Sequence, residues 1–191
     1  MPFLQLLNFI IRRLMISLAL RPFLPSDKPF LIDLYEHSFP EEERRPTRDW
    51  LEMPGRDAAF CLNVIEADGV AAGLLTVWQF REFAYVEHFA VSPEMRGDGL
   101  GARALQTLVE SVQVPIVLEV EPKGSTPMAD RRIAFYERQG FGGTFRAVGA
   151  CFAAFVEVEH RHTVNYVEGV ARLVDGFRTA HHHLCCTTHT R

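Results

Sequence analysis

The stretch that decides the fold of this chain reads Met95-Arg96-Gly97-Asp98-Gly99-Leu100-Gly101-Ala102. It follows a predicted strand over residues 83–91 and opens a predicted helix over residues 99–112, so its backbone N–H groups meet the positive end of a helix. Its three glycines remove the Cβ atoms that would block a close ligand, and Arg96 adds a cation. The pattern predicts a phosphate-binding loop, although a glycine-rich helix cap that binds no ligand would have the same sequence pattern.

The spacing of these glycines excludes two common phosphate-binding loops. The Gly-Lys-Ser/Thr sequence of nucleoside triphosphate loops is missing from residues 95–102. The glycines also do not follow the G-x-G-x-x-G pattern of dinucleotide-binding folds. The loop therefore belongs to another kind of phosphate site, if it binds phosphate at all.

Strands and helices alternate on both sides of this loop. Two apolar runs, 58–67 and 70–80, flank Asp68-Gly69, a dipeptide that favours a two-residue hairpin turn. Crossovers through helices make parallel neighbours whereas hairpins make antiparallel ones, so the predicted fold class is α/β with a mixed central β-sheet flanked by helices. The remaining predicted elements are a strand over 16–21, a helix capped by Ser26 and ending near 39–40, a strand over 115–120, and a helix over 128–139 closed by Gly140.

A run of charges separates the first two predicted helices. Glu41-Glu42-Glu43-Arg44-Arg45 is expected to be a solvated loop, and a substrate-recruiting patch is the alternative. A short helix over residues 47–53 follows, and Pro54 and Gly55 are expected to stop it. The run therefore carries no predicted site residue.

Length and composition limit the classes of protein that the chain can belong to. Its 191 residues suit one domain, with 48% apolar and 23% charged residues, as is typical of a globular protein. A net charge of −4 gives no basic surface for nucleic acid. Cys61, Cys151 and the adjacent Cys185-Cys186 form neither a disulfide framework nor a zinc-site spacing, which favours a reducing, cytoplasmic location.

The apolar beginning of the chain does not have the pattern of a membrane span. Arg12, Arg13 and Arg21 interrupt residues 1–24, so no uninterrupted apolar run approaches the ~18 residues that spanning requires. Positive charge follows the first apolar run instead of preceding it, unlike a signal peptide. Residues 1–14 are expected to be an extension outside the fold or an ordinary apolar arm, and either Met1 or Met15 can be the true start.

Two segments in register resemble a known family. Glu87-His88-Phe89-Ala90-Val91-Ser92-Pro93, followed by Arg96-Gly97-Asp98-Gly99-Leu100-Gly101, is similar to the coenzyme A motif of the GCN5-related N-acetyltransferases (GNAT), Arg/Gln-x-x-Gly-x-Gly/Ala. Downstream, Ala134-Phe135-Tyr136-Glu137-Arg138-Gln139-Gly140-Phe141 resembles the closing helix motif of the same superfamily. The resemblance covers residues 16–143 and implies an enzyme that transfers acetyl from acetyl-CoA to an amine, by direct attack in a ternary complex and without a metal.

The resemblance also implies positions for the cosubstrate. The pantetheine arm is expected between two splayed parallel strands, where it bonds to the backbone of Phe89, Ala90 and Val91. The pyrophosphate is then expected on the amides of Arg96, Gly97, Asp98, Gly99, Leu100 and Gly101. Unpaired strand amides are available donors, and one aimed at the thioester carbonyl would stabilise an oxyanion.

Candidate proton-transfer residues follow from the same resemblance. A base must deprotonate an ammonium whose free pKa is about 10.4. Glu87 is the first choice for this base, and Glu119 and Glu121, on one strand face, are the alternatives. The proton can pass to the carboxylate directly or through water. His88 is expected on the opposite side of the strand from Glu87, as a satisfied core residue or a site residue. Tyr136 matches the family tyrosine that stands near the thiol and can protonate the leaving thiolate.

The chain departs from the family pattern at three places. Ala129 stands where many relatives have asparagine, and Arg132 stands where a small residue is usual. After Gly143 the resemblance ends, although residues 148–158 can form one terminal strand. The expected organisation is an extension over 1–14, the acetyltransferase domain over 15–159, and an atypical helix with a disordered His/Cys/Thr-rich tail over 160–191, which a shifted reading frame would explain.

The acceptor is not fixed by these motifs. A small amine and a peptide amine fit equally well, a homodimer is left open, and neither nucleic acid nor membrane is expected as a partner. A degenerate coenzyme A-binding module without turnover is the alternative function. Four aromatic residues are either pocket or core: Trp50, Trp78, Phe80 and Phe83.

Overall fold

A computed structural model describes residues 16–121, 123–141, 146–148 and 151–156 of the chain. The proposed extension over 1–14 and the proposed tail over 160–191 lie outside these residues. The strands are β1 Leu18–Pro22, β2 Phe60–Ala67, β3 Val70–Gln79, β4 Ala84–Val91, β5 Ile116–Val120, β6 Arg146–Val148 and β7 Cys151–Val156. The helices are α1 Lys28–Ser38, α2 Thr47–Arg56, α3 Leu100–Ser111 and α4 Pro127–Arg138, and three short 3-10 turns lie in the connections of the described ranges.

All of these strands belong to one sheet in the order β1-β2-β3-β4-β5-β7-β6. β4 and β5 are parallel, and the other neighbouring strands described are antiparallel. The parallel pair arises because α3 connects its two strands, as a crossover requires. The predicted mixed sheet is therefore confirmed, and the segment expected to supply a strand after Gly143 supplies β7, which pairs with β5.

The β2–β3 hairpin turns at Asp68-Gly69, as predicted. Both residues have positive φ, 50° and 78°, which is the combination that a type I′ turn requires. Asp68 also attaches the edge strand, because its Oδ1 accepts the N–H of Ser17 at 2.7 Å and its N–H donates to the Ser17 carbonyl at 2.9 Å. The turn residues thus fix both the hairpin and the approach of β1.

Helices cover both faces of the sheet and bury a core on each. α3 and α4 pack on one face, through residues such as Leu105 and Ile133. α1 and α2 pack on the other face, through residues such as Leu31. Three of the aromatic residues whose role the sequence left open belong to this second core, Trp50, Trp78 and Phe83, and the fourth, Phe80, is partly buried and packs against it.

Two helix boundaries differ from the sequence expectation. Ser26 does not cap α1; it lies in a 3-10 turn, Pro25–Asp27, and the helix starts at Lys28 without a side-chain cap. α2 runs through Pro54 and Gly55 to Arg56. A proline so near the helix end removes few helical hydrogen bonds. The bond that closes the helix, from Asp57 N–H to the Met53 carbonyl, still forms at 2.9 Å.

Among the helices of the described ranges, none combines the length and the apolar character needed to cross a membrane. The side-chain clusters of the same ranges include no group of three or more His, Cys, Asp or Glu residues placed to hold a metal ion.

The close approach of β3 and β4 depends on Gly73. A Cβ at this position would lie 2.5 Å from the Ala90 carbonyl oxygen and 2.8 Å from Ile65 Cδ1. We expect Gly73→Ala to lower the free energy of unfolding by about 1–3 kcal/mol because the backbone must shift. Chemical denaturation measures this loss.

The matched control for this change is Gly55→Ala. A Cβ at Gly55 meets nothing within 4 Å, and the residue is helical. This variant should gain up to about 1 kcal/mol from helix propensity. Equal stability of the two variants would show that β3 and β4 do not approach so closely.

Candidate functional site

A gap opens in the middle of the sheet, between β4 and β5. The two strands pair at only three positions, and the last pair is Val86 with Leu118. Beyond this pair both strands continue, to Val91 and Val120. Because the ladder stops, the peptide groups of β4 that face β5 after Val86 have no strand partner there and can bond to a ligand. The strand splay implied by the family resemblance is therefore present.

A cavity of about 550 Å³ occupies this gap. One wall consists of the end of α1 and the segment after it. The opposite wall comes from α4. The floor is formed by both splayed strands, including Phe89, Ala90 and Val91 of β4 and Glu119 of β5. The volume is in the range of small-molecule sites.

A β-bulge lies at the start of the gap. Val77 pairs with Val86 and Thr76 pairs with His88, so Glu87 is an extra residue on β4. The strand alternation slips at the bulge, and the expectation that His88 points away from Glu87 is wrong: His88 Nδ1 lies 4.0 Å from Glu87 Oε2. The bulge places an acidic and an imidazole side chain together on the face that carries α1.

The Glu87 side chain is only 3% exposed although its residue lines the cavity. Its Oε1 accepts a hydrogen bond from Arg45 Nε at 2.9 Å, and its Oε2 accepts one from Trp78 Nε1 at 2.8 Å. Arg45 is itself 10% exposed, so the charge run to which it belongs is not the fully solvated loop that its composition suggested. Burial of a carboxylate requires such partners.

His88 is a satisfied buried histidine, one of the two roles considered for it. The side chain bonds to Thr76 Oγ1 through Nδ1 at 3.1 Å and to the Glu43 carbonyl through Nε2 at 3.2 Å. A carbonyl only accepts, so Nε2 carries the proton and Nδ1 accepts the Thr76 hydroxyl. Burial lowers the pKa of His88, which keeps the ring neutral in this network.

Tyr136 lies on α4, across the gap from the bulge. Its ring contacts the rings of Phe135 and Phe141, and the residue is 9% exposed. Burial raises the pKa of Tyr136 to about 12. One turn earlier, Arg132 pairs with Glu121 at the cavity rim. Ala129, at the position where the family often has asparagine, is fully buried.

The glycine-rich loop borders the open end of the gap. Gly97 and Gly99 have φ of 103° and 74°, which glycine adopts without strain, and Gly99 is the N-cap of α3. Arg96 donates from Nε to the Val91 carbonyl at 2.9 Å. A hollow of about 310 Å³ between the loop, β4 and Phe135 lies beside the cavity, and the two spaces share three lining residues, Phe89, Val91 and Arg96.

The fold thus brings most of the residues that the sequence singled out into one place. The cavity is lined by Glu87, His88, Phe89, Ala90, Val91, Arg96, Glu119, Glu121 and Tyr136. The hollow is lined by Gly97, Gly99, Leu100 and Gly101, whereas Asp98 lines neither space. Sequence reasoning did not connect Arg45 or Trp78, the two donors to Glu87, with that carboxylate. Arg45 lies 42 positions away from Glu87, and the bond from Trp78 depends on how β3 pairs with β4, which no local pattern shows.

Comparisons with known proteins agree with this geometry. The model of the Acetyltransferase (GNAT) family matches residues 28–141. A protein from Bacteroides thetaiotaomicron, described as an acetyltransferase of the GNAT family, is 33% identical; its structure has a TM-score of 0.71, and the match covers 82% of this chain and 95% of that one.

Two further proteins are similar over other extents. YjbC of Bacillus subtilis (strain 168), which is named for an acetyltransferase activity, is 35% identical over 69 residues; the match covers 36% of this chain and only 35% of that protein. The PaiA N-acetyltransferase from Thermoplasma acidophilum, solved in complex with coenzyme A, is 16% identical with a TM-score of 0.51, over 74% of this chain and 99% of that one. This last likeness concerns the fold alone.

The buried network around His88 makes stability depend on pH. Its pKa is lower in the folded protein than the usual ~6.5 of the unfolded chain, so the unfolded state binds the proton first as the pH falls. The stability contributed by the neutral ring is complete above about pH 6.5 and is lost below it. Between about pH 7.5 and 5.5, we expect the free energy of unfolding to fall by about 1 kcal/mol more than in His88→Gln.

The comparison with His88→Gln isolates the contribution of the imidazole, because groups that do not contact His88 titrate alike in both proteins. Denaturant unfolding at the two pH values measures the difference. Equal losses in both proteins would contradict the assignment of a neutral, buried His88.

Proposed function

Because the chain belongs to the Acetyltransferase (GNAT) family, we propose that it transfers an acetyl group from acetyl-CoA to an amine by direct attack within a ternary complex. Family membership supports an acyltransferase in general. The observation that carries the finer proposal is the junction of the β4–β5 gap with the glycine-rich loop, because one elongated ligand with a phosphate-bearing end can occupy both.

The residues present fit coenzyme A. A pyrophosphate needs N–H donors without side chains in the way, and Gly97, Gly99 and Gly101 provide them at the start of α3. A Cβ at Gly101 would already lie 3.4 Å from the Phe89 ring, so the space under the loop is narrow. The amide-bearing pantetheine arm suits the open edge of β4 at Phe89, Ala90 and Val91. The loop amides involved are those of Arg96, Gly97, Asp98, Gly99, Leu100 and Gly101.

Glu87 is the proposed general base, acting directly or through water. Each of its oxygens accepts one hydrogen bond and keeps a further lone pair. Glu119 and Glu121 also line the cavity and remain alternatives. Loss of a proton makes the amine a nucleophile, which attacks the thioester carbonyl; the C–N bond forms and the C–S bond breaks.

Tyr136 is the proposed donor to the leaving sulfur. Its pKa of about 12 keeps the phenol protonated at neutral pH. That value also lies well above the ~8.5 of an ordinary thiol, so complete proton transfer to the thiolate is uphill. Donation of a hydrogen bond to the developing thiolate is the role that this environment favours.

The acceptor is proposed to be an amine, either a small molecule or a peptide, and the reaction is placed in the cytoplasm on the argument from cysteine usage. Release of the coenzyme A thiol from acetyl-CoA over a panel of small amines and peptides tests the activity. Turnover with any of them supports an enzyme. Tight binding of acetyl-CoA without turnover would favour the alternative, a coenzyme A-binding module.

The substitution Gly99→Glu tests the cosubstrate site. It puts bulk and negative charge at the N-cap of α3, where the pyrophosphate is proposed. We expect calorimetry to detect acetyl-CoA binding in the unaltered chain, at about micromolar Kd, and no binding in the variant.

Gln113→Glu is the control for added charge, because Gln113 is exposed and lies just beyond the other end of α3. It should bind as the unaltered chain does. Retained binding by a folded Gly99→Glu protein would refute the assigned site.

The substitution Tyr136→Phe tests the hydroxyl alone. The ring keeps its contacts with Phe135 and Phe141. We expect kcat to fall by at least about 10-fold while the KM for acetyl-CoA stays nearly unchanged, since the lost interaction belongs to the transition state. Steady-state kinetics measure both, and an unchanged kcat would remove Tyr136 from the mechanism.

A further inference from the structure

One arginine reaches the cavity wall from a segment outside the sheet. Arg45 belongs to the connection between α1 and α2, yet its Nε donates to Glu87 Oε1 at 2.9 Å. Its guanidinium carbon also lies 5.5 Å from the centre of the Trp78 ring, in a cation–π contact. The side chains of Arg45 and Glu87 are 10% and 3% exposed, so this is a buried ion pair.

The Glu87 carboxylate is held from two directions. Arg45 binds one oxygen, and Trp78, from the neighbouring strand β3, binds the other at 2.8 Å. Because Glu87 is the extra residue of a bulge, the strand ladder does not fix its direction. These two donors therefore set the orientation of the carboxylate.

Arg45 is itself fixed to the fold at its backbone. Its N–H donates to the Tyr35 hydroxyl at 3.0 Å, and the Tyr35 ring stacks on Trp50 with 3.9 Å between ring centres. Two residues earlier, the Glu43 carbonyl accepts from His88 on β4. The segment 43–45 is thus joined to β4 by two contacts, one between Glu43 and His88 and one between Arg45 and Glu87.

The guanidinium is placed for Glu87 and not for a ligand. Arg45 does not line the cavity, and its Nη2 is buried without a hydrogen-bond partner among the residues that the structure describes. Burial of an unpaired donor is unfavourable, and the charge-assisted hydrogen bond through Nε offsets that cost. Any effect of Arg45 on a bound amine must pass through the carboxylate.

We propose that Arg45 is a positioning residue for acetyl transfer: it fixes the Glu87 carboxylate in the wall of the cavity and supplies its compensating charge. This inference rests on the proposed function, and it assigns a chemical role to a run of charges that composition alone assigns to solvent. Arg45 does not touch the acetyl group or the amine.

A double-variant cycle tests the assignment, using Arg45→Ala, Glu87→Gln and both together. If Arg45 acts through Glu87, Arg45→Ala lowers kcat by about 10- to 100-fold with little change in the KM for acetyl-CoA. The double variant should then lose no more than Glu87→Gln alone. Arg45→Lys, which keeps the charge without the Nε geometry, should restore part of the kcat.

Arg48→Ala is the matched control, because this neighbouring arginine is 87% exposed on α2. It should leave both kinetic constants unchanged. Multiplied losses in the double variant would overturn the inference while leaving the proposed function intact. If Arg45→Ala does not fold, Arg45→Lys decides: an unchanged kcat in that variant overturns the inference.

Failure of the proposed function has a different signature. An unaltered chain that binds acetyl-CoA and acetylates no amine in the panel refutes the transfer reaction, and with it a positioning role in that reaction. Turnover by the unaltered chain, together with a double variant that loses no more kcat than Glu87→Gln alone, supports the proposed function and the positioning role of Arg45.

Discussion

The early end of the β4–β5 ladder is the feature on which the rest of the site depends. Parallel pairing stops after three residue pairs, although both strands continue. In the interior of a sheet, peptide groups without partners are costly unless a ligand or water satisfies them. The fold therefore has an opening at its centre that is lined by oriented backbone donors, and the glycine-rich loop at the start of α3 borders it.

The two faces of the sheet contribute different groups to the surroundings of this opening. The side that carries α3 and α4 contributes Phe89, Phe135 and Tyr136, whose rings pack together. The side that carries α1 and α2 contributes Glu87 and His88, which the bulge brings to the same face. Both side chains have partners from other elements: Arg45 and Trp78 for Glu87, and Thr76 and the Glu43 carbonyl for His88. Under the proposed function, the aromatic residues would border the thioester and the acidic residue would face the amine.

Local sequence patterns predicted the parts of this architecture that local forces determine. Asp68-Gly69 predicted the hairpin, because few other residues adopt positive φ at both turn positions. The spacing of Gly97, Gly99 and Gly101 predicted a ligand loop at a helix N-terminus, and the loop has the conformation that glycine permits. The terminal strand after Gly143 was also expected, and β7 occupies that position.

Contacts between distant residues explain what the sequence did not reveal. Strict alternation placed His88 opposite Glu87, but a bulge set by pairing with β3 cancels that alternation. Arg45 looked like part of a solvated charge run, because its buried partner lies 42 positions further along the chain. Neither effect has a signature within a short window, since each depends on which strands and loops meet in three dimensions.

A crystal structure of the chain with coenzyme A bound tests the central claim most directly. The account predicts the pyrophosphate on the amides of residues 96–101, and the pantetheine arm in the gap, bonded to the backbone of residues 89–91 with its thiol near Tyr136. Coenzyme A bound elsewhere, or a gap closed by continued pairing of β4 with β5, would contradict it.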